Sequence, residues 1–171
     1  DREALNLLDP VEDSLSIAWT YLGLGNYYSR TDLLDSSLYF YEEALNYSLA
    51  LKADHLTDAS YNNIALTYKD KGNYEEALRY FQKGIEVTER MQNYSSTAFI
   101  LDNIGAMYYE MGNYDKALDY SSQAYGMALE YQTASGLVNM HSNLANANAA
   151  LGKWDSAYKH QKAYTELIQS Y

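Results

Sequence analysis

The chain has 171 residues, a formal net charge of −11, twenty tyrosines, one proline and no cysteine. That length suits one ordinary domain or one short solenoid with a real core. The acidity argues against nucleic acid and anionic membranes as partners, because both are polyanions. Without cysteine there is neither a disulfide frame nor thiolate chemistry, and the compartment stays open between cytosol and an extracytoplasmic space.

No apolar run approaches the ~18 residues of a membrane span, so no membrane insertion is expected of this segment. No signal peptide stands out and the sequence starts at Asp1, which reads as a processed chain or an excised piece.

Residues 1–9 read as the end of a helix from a preceding repeat, broken by Pro10. Asp13 or Ser14 caps the next helix, which runs to about residue 30 with Ile17, Tyr21, Leu24 and Tyr28 at helical spacing. A second helix over 34–52 carries Leu38, Tyr41, Leu45 and Leu49 on one face. Thr57 or Asp58 starts a third, with Tyr61, Ile64, Ala65 and Tyr68, stopping at Gly72. Its partner runs over 74–91. Ser95 or Ser96 caps a fifth, with Leu101, Ile104, Gly105 and Tyr108, stopping at Gly112; its partner runs over 114–131. The last pair covers roughly 134–151 and 154–170. Gly72, Gly112 and Gly152 fall just past helix ends, where a left-handed residue without a β-carbon is cheapest. No strand pattern appears.

Gly72-Asn73-Tyr74-Glu75-Glu76-Ala77-Leu78 returns as Gly112-Asn113-Tyr114-Asp115-Lys116-Ala117-Leu118 and again as Gly152-Lys153-Trp154-Asp155-Ser156-Ala157-Tyr158, 40 residues apart each time. A weaker copy lies at Asp32-Leu33-Leu34-Asp35-Ser36-Ser37-Leu38. A fixed period of this length means stacked helical repeats. Tyrosine suits such a thin two-layer array, because it offers a large apolar ring with a polar tip for half-buried positions between helices.

Within each period the order is an aromatic, a Leu-Gly-like pair, a tyrosine, a turn glycine and an alanine. The first unit has Tyr21, Leu24-Gly25, Tyr28, Ser37, Tyr41 and Ala44; the second has Tyr61, Ile64-Ala65, Tyr68, Gly72, Ala77, Phe81 and Gly84. The third has Leu101, Ile104-Gly105, Tyr108, Gly112, Ala117, Ser121 and Ala124; the fourth has His141, Leu144-Ala145, Asn148, Gly152, Ala157, Gln161 and Tyr164. This pattern resembles the tetratricopeptide repeat family over nearly the whole chain. The resemblance implies an all-α fold, a right-handed superhelical solenoid of antiparallel helix pairs. Residues 1–10 would end a preceding helix and 11–171 would form the array, with repeats at about 14–53, 54–93, 94–133 and 134–171.

The period exceeds the family's common ~34 residues. Because the spacing from the Leu-Gly pair to the turn is unchanged, the six extra residues are assigned to the second helix and the connection after it. This long form resembles kinesin-light-chain-like adaptors and the sensory repeat domains of Bacteroidetes-type signalling proteins. The ending Asp155-Ser156-Ala157-Tyr158-Lys159-His160-Gln161-Lys162-Ala163-Tyr164 looks most like the second group. Two departures stand out. Asp32-Leu33 replaces the turn glycine in the first copy, and Asn148, Gln161 and Tyr164 stand at core positions in the fourth, which predicts a loosely packed end.

In the family the first helices of each pair line a concave groove. The residue before each Leu-Gly pair points into it: Gly23, Asn63, Asn103 and Asn143 here. An asparagine amide carries a donor and an acceptor side by side, so it can grip a peptide unit whatever the ligand's sequence. Gly23 interrupts this ladder. Neighbouring groove positions include Trp19, Asn26, Asn62, Phe99, Asp102 and Asn146, with Lys69 and Tyr109 near the mouth. Trp19 and Phe99 are candidate anchors, since aromatics dominate interface energetics. A carboxylate clamp is not expected, because Lys69 and Arg30 stand beside Asp70 and Glu110.

Enzyme motifs are missing. His55, His141 and His160 lack metal-site spacing, and Gly23-Leu24-Gly25 lacks the third glycine and preceding strand of a dinucleotide loop. Glu42-Glu43 and Glu75-Glu76 read as acids in the first turns of second helices. Asn46-Tyr47-Ser48 and Asn93-Tyr94-Ser95 fit the glycosylation pattern. No catalytic residue, cofactor or metal is expected. The expected function is a non-catalytic scaffold binding a protein or extended peptide, as an interaction or sensory part of a larger regulator. The alternative is a structural array serving dimerisation or spacing. The last helix carries Trp154, Tyr158, Tyr164, Leu167 and Ile168 without a following cap, and homodimerisation through such terminal helices would cover them.

Overall fold

One turn, used repeatedly, sets the architecture. Asp32, Lys52, Gly72, Gln92, Gly112, Gln132 and Gly152 are spaced 20 residues apart, and all have φ between 52° and 75°. In six of them the N–H of this residue donates to the carbonyl three residues earlier at 2.8–3.2 Å. The next N–H donates to the carbonyl five residues earlier at 2.8–2.9 Å. This is the Schellman closure of a helix C-terminus, and it satisfies carbonyls that the helix end would otherwise leave bare. The chain is then turned back within three residues, so successive helices within a unit run antiparallel.

The computed structural model describes residues 10–132 and 136–169. Among them are eight helices: α1 Pro10–Arg30, α2 Leu34–Ala50, α3 Asp54–Asp70, α4 Tyr74–Arg90, α5 Tyr94–Glu110, α6 Tyr114–Glu130, α7 Leu137–Ala150 and α8 Trp154–Gln169. The described residues contain no strand. They divide into two compact units, one ending at Val87 and the other starting at Thr88.

Several sequence expectations are corrected. The expected helix at 1–9 lies outside the described residues. Among the described residues Pro10 opens α1, where its missing N–H costs nothing and its fixed φ suits the first turn. The long period is not confined to the second helix and its connection. Helices α3, α4, α5 and α6 are 17 residues each, so both members of a pair share the extra length. Helices α3 and α5 start before the Thr57 and Ser95 signals, because the residue that closes one Schellman turn also opens the next helix. Asn93 plays this part for α5: its side-chain oxygen accepts from Ser96 N–H at 3.2 Å. Asp32, at φ 60°, makes the same turn as the glycines, with Leu33 N–H donating to the Tyr28 carbonyl at 2.9 Å. Glu42 and Glu43 lie in the middle of α2 rather than its first turn, whereas Glu75 and Glu76 do open α4.

The first unit packs α1 on α2 and α2 on α3 around Leu22, Leu38, Tyr41, Ala44, Leu45 and Ile64. The second packs α5 on α6, α6 on α7 and α7 on α8, with an alanine-rich core of Ala98, Ala124, Ala128 and Met140. Close approach within a pair needs a small residue. At Gly25 a β-carbon would sit 2.4 Å from the Tyr41 ring, and at Gly105 it would sit 2.4 Å from Ser121 Oγ.

Tyrosine serves as interhelix packing, and does so in register. Tyr28 stacks on Phe40 at 5.1 Å, Tyr68 on Tyr80 at 5.5 Å and Tyr108 on Tyr120 at 5.4 Å, each joining a first helix to its second. Such pairs contribute about 0.5–1.5 kcal/mol beyond burial of their area. The fourth pair lacks this stack, because Asn148 and His160 occupy its two positions. Asn148 is nonetheless buried, its amide nitrogen donating to the Leu144 carbonyl at 2.7 Å. Ala157 is the one described residue of α8 that is fully buried, while Gln161 is exposed and Tyr164 half-buried.

Candidate functional site

In the first unit, Asn63 is half-buried on α3. Its amide nitrogen donates to Asn26 Oδ1 at 3.3 Å. The Tyr41 hydroxyl donates to the same oxygen at 2.7 Å. A buried tyrosine on α2 thus fixes an exposed asparagine on α1, which in turn holds the first member of the ladder on α3. Asn63 keeps its amide oxygen as an acceptor, and Asn26 keeps its amide nitrogen as a donor. Gly23, Asn26, Tyr27, Arg30 and Thr31 line a hollow of about 540 Å³. A β-carbon at Gly23 would meet open space, so the gap in the ladder is a widening. Trp19 is 55% exposed. Lys69 is half-buried and pairs with Asp70 at 3.3 Å, which spends its charge locally. Asn62 is buried and turned from the surface.

In the second unit, Asn103 and Asn143 are half-buried on α5 and α7. Beside Asn143 lies Asp102, which is buried, and not on the groove surface that its register suggests. Burial pushes its carboxyl up from 3.8 to about 6, with the Asn143 and Ser121 side chains acting in the opposite sense. One carboxyl oxygen of Asp102 has no hydrogen-bond partner. The close contact of Gly105 with Ser121 closes this corner from the side of α6. Phe99 is 36% exposed, and its ring edge lies near Gly136, where α7 begins. Tyr109 is exposed and leans on Tyr114 at 5.3 Å. Asn146 is exposed and shares a hollow of about 300 Å³ with Ala149, Trp154, Tyr158 and Gln161. Trp154 and Tyr158 are 69% and 72% exposed, so they can meet a partner.

The structure thus displays Asn26, Asn63, Asn103, Asn143, Asn146, Trp19, Phe99 and Tyr109 at or near the surface of first helices and holds Asn62 and Asp102 inside. One pairing escaped sequence reasoning: His141 and His160 meet with Nδ1 atoms 2.9 Å apart. The available signal was the tyrosine register, in which 141 and 160 match Tyr21–Phe40 and Tyr61–Tyr80. No group of three His, Asp, Glu or Cys able to hold a metal occurs among the described residues. No helix among them is long and apolar enough to cross a membrane. Of the two glycosylation patterns, Asn46 sits inside α2 and Asn93 caps α5 with its side chain engaged.

Comparison with known proteins supports this architecture. Residues 53–130 match the tetratricopeptide repeat family. No curated protein matches the sequence. Solved structures of similar fold include aspartyl phosphate phosphatase F from Bacillus subtilis, 19% identical over 96% of this chain and 42% of that one, with a TM-score of 0.85. A Rap protein complexed with Competence and Sporulation Factor is 18% identical over 96% of this chain and 45% of that one, with a TM-score of 0.79. The TPR2AB domain of yeast Sti1, in a complex with pHSP90, is 23% identical over 82% of this chain and 49% of that one, with a TM-score of 0.66. The chain spans less than half the length of each of these structures.

Proposed function

We propose that this tetratricopeptide-repeat chain, whose residues 53–130 carry the family match, is a non-catalytic scaffold that holds an extended peptide or protein segment on its first helices. The observation that carries the reading is the arrangement of amides. Asn63, Asn103 and Asn143 recur at a period of 40, each half-exposed on a first helix; Asn63 is held by Asn26, which the buried Tyr41 hydroxyl fixes, and Asn143 lies against the buried Asp102. A side-chain amide held in place loses little entropy when it pairs with a ligand's backbone N–H and C=O. Trp19 in the first unit and Phe99 in the second supply exposed apolar area on first helices.

A Rap protein complexed with Competence and Sporulation Factor and the Sti1 TPR2AB domain complexed with pHSP90 agree with this reading. The phosphatase name of a further neighbour belongs to a chain more than twice as long. We read this segment as the interaction or sensory part of a larger regulator, on its resemblance to the long-repeat sensory domains. The second reading, self-association, is favoured by exposed Trp154, Tyr158 and Ile168 on α8. Light scattering across a concentration series tests it: a mass fixed at that of a monomer rejects it.

The test of the main reading is affinity capture from extract of the source cells with wild type and with N63A/N103A/N143A, both first shown equally helical. A partner held by wild type and lost by the triple variant supports recognition by the amides. Equal retention rejects it.

A further inference from the structure

The fourth repeat replaces an aromatic contact with a titratable one. In the first two repeats, a first-helix ring meets a second-helix ring: Tyr21 with Phe40 at 6.1 Å and Tyr61 with Tyr80 at 6.2 Å. The equivalent positions in the fourth repeat are His141 on α7 and His160 on α8, with ring centroids 5.2 Å apart. Their Nδ1 atoms are 2.9 Å apart. The centroid separation exceeds the nitrogen separation by about one imidazole diameter, so the two nitrogens point straight at one another. That geometry suits a shared proton; a chelated metal would need both lone pairs to converge off the line.

We propose that the His141–His160 pair is an acid-sensitive latch that docks α8 onto α7, released when both rings carry a proton. With both rings neutral, one must be protonated at Nδ1 and the other at Nε2, so that one donates and the other accepts. A first added proton enters the Nε2 of the donor ring and leaves the N–H···N bond intact. A second must enter the Nδ1 that accepts, which abolishes the bond and sets two cations face to face.

The surroundings favour the neutral pair. Burial lowers both rings, and His141 and Lys159 lower His160 further. Tyr125 of α6 covers both, at 4.9 Å from His141 and 5.8 Å from His160. On α8, Glu166 lines the same small cavity as His141, but its carboxylate lies 3.8 Å from Lys162. Helix α7 holds no other ionisable side chain, and α5 contributes Asp102 next to Asn143. Since the folded rings bind protons less readily than free histidine, the contact is fully present above the ordinary histidine range and is lost as pH falls below it.

Helix α8 fully buries only Ala157 among its described residues, with Ala163, Tyr164 and Leu167 half-buried. Release would therefore loosen the support of α7, the helix that carries Asn143 and Asn146. The last repeat would open in an acidic compartment while the tyrosine-latched repeats stay closed.

Hydrogen exchange read by mass spectrometry, corrected for intrinsic pH dependence, tests the latch without any ligand. On lowering the pH from 7.5 to 5.0, protection of α8 in wild type should fall about tenfold or more relative to α5. In H141Y/H160Y, which installs the Tyr61–Tyr80 contact, the fall should disappear. Nitrogen-15 NMR of His141 and His160 at pH 7.5, with His55 assigned separately, should show one Nδ1–H and one Nε2–H tautomer. Equal loss of protection in both proteins, or identical tautomers, overturns the proposal.

Discussion

Replacing Asp102 by Asn should make the protein more stable at neutral pH. Asp102 is 3% exposed and has one oxygen without a partner, and its carboxyl is raised from 3.8 to about 6. At about 1.4 kcal/mol per unit, ionising it in the folded state costs about 3 kcal/mol. The folded state holds this proton more tightly than the unfolded state. Its favourable contribution is therefore complete below about pH 3.8 and is lost as the pH rises through about 6. Asparagine keeps the shape and carries no charge. Urea unfolding followed by helical circular dichroism should give a D102N gain of about 1–3 kcal/mol at pH 7.5, a midpoint shift of about 1 M. The gain should shrink to about a third of that at pH 4.5. The histidine pair acts in the opposite direction on acidification, but it is present in both proteins and cancels in the difference. A variant no more stable than wild type at pH 7.5, or a gain independent of pH, would refute the reasoning.

Three further outcomes follow from the turns and the close contacts. Gln92 adopts φ 54° where Gly72 adopts 75°, so Q92G should stabilise and G72Q destabilise, each by about 1 kcal/mol in thermal unfolding. Gly25→Ala drives a methyl group to 2.4 Å from the buried Tyr41 ring and should cost about 1–3 kcal/mol in the same assay. Tyr41→Phe removes the hydroxyl that holds Asn26 Oδ1 at 2.7 Å, so it should weaken stability by about 1 kcal/mol and any peptide affinity with it. Unchanged affinity with reduced stability would detach the Asn26–Asn63 pair from binding.

The fold was legible wherever geometry demands one residue type. Gly72, Gly112 and Gly152 mark the turns within pairs, because φ near 75° favours a residue without a β-carbon. The turns between pairs were not legible, because Lys52, Gln92 and Gln132 accept the same left-handed geometry while giving no sign in the sequence. For this reason the half-period of 20, and the equal helix lengths, stayed hidden. Helix starts were misread because the Schellman-closing residue is itself the cap, as at Asn93, rather than the Ser or Thr that follows.

At the site, register placed the asparagines on first helices correctly. It could not separate display from burial, since Asp102 and Asn62 lie one position from Asn103 and Asn63 and still face the interior. For Asp102, burial depends on how closely Gly105 lets α6 approach. His141 and His160 showed no motif spacing because their partnership is a repeat register and not a metal signature.

The most direct test of the scaffold reading is site-specific photocrosslinking in extract of the source cells, with a benzophenone side chain at Asn146 or Trp19, which are exposed on first helices, or at Gln123, exposed on the second helix α6. The account predicts that Asn146 and Trp19 capture the same partner and that an excess of that partner's peptide suppresses both adducts, while Gln123 captures none of it. Capture of the partner from Gln123, with Asn146 and Trp19 silent, would contradict it.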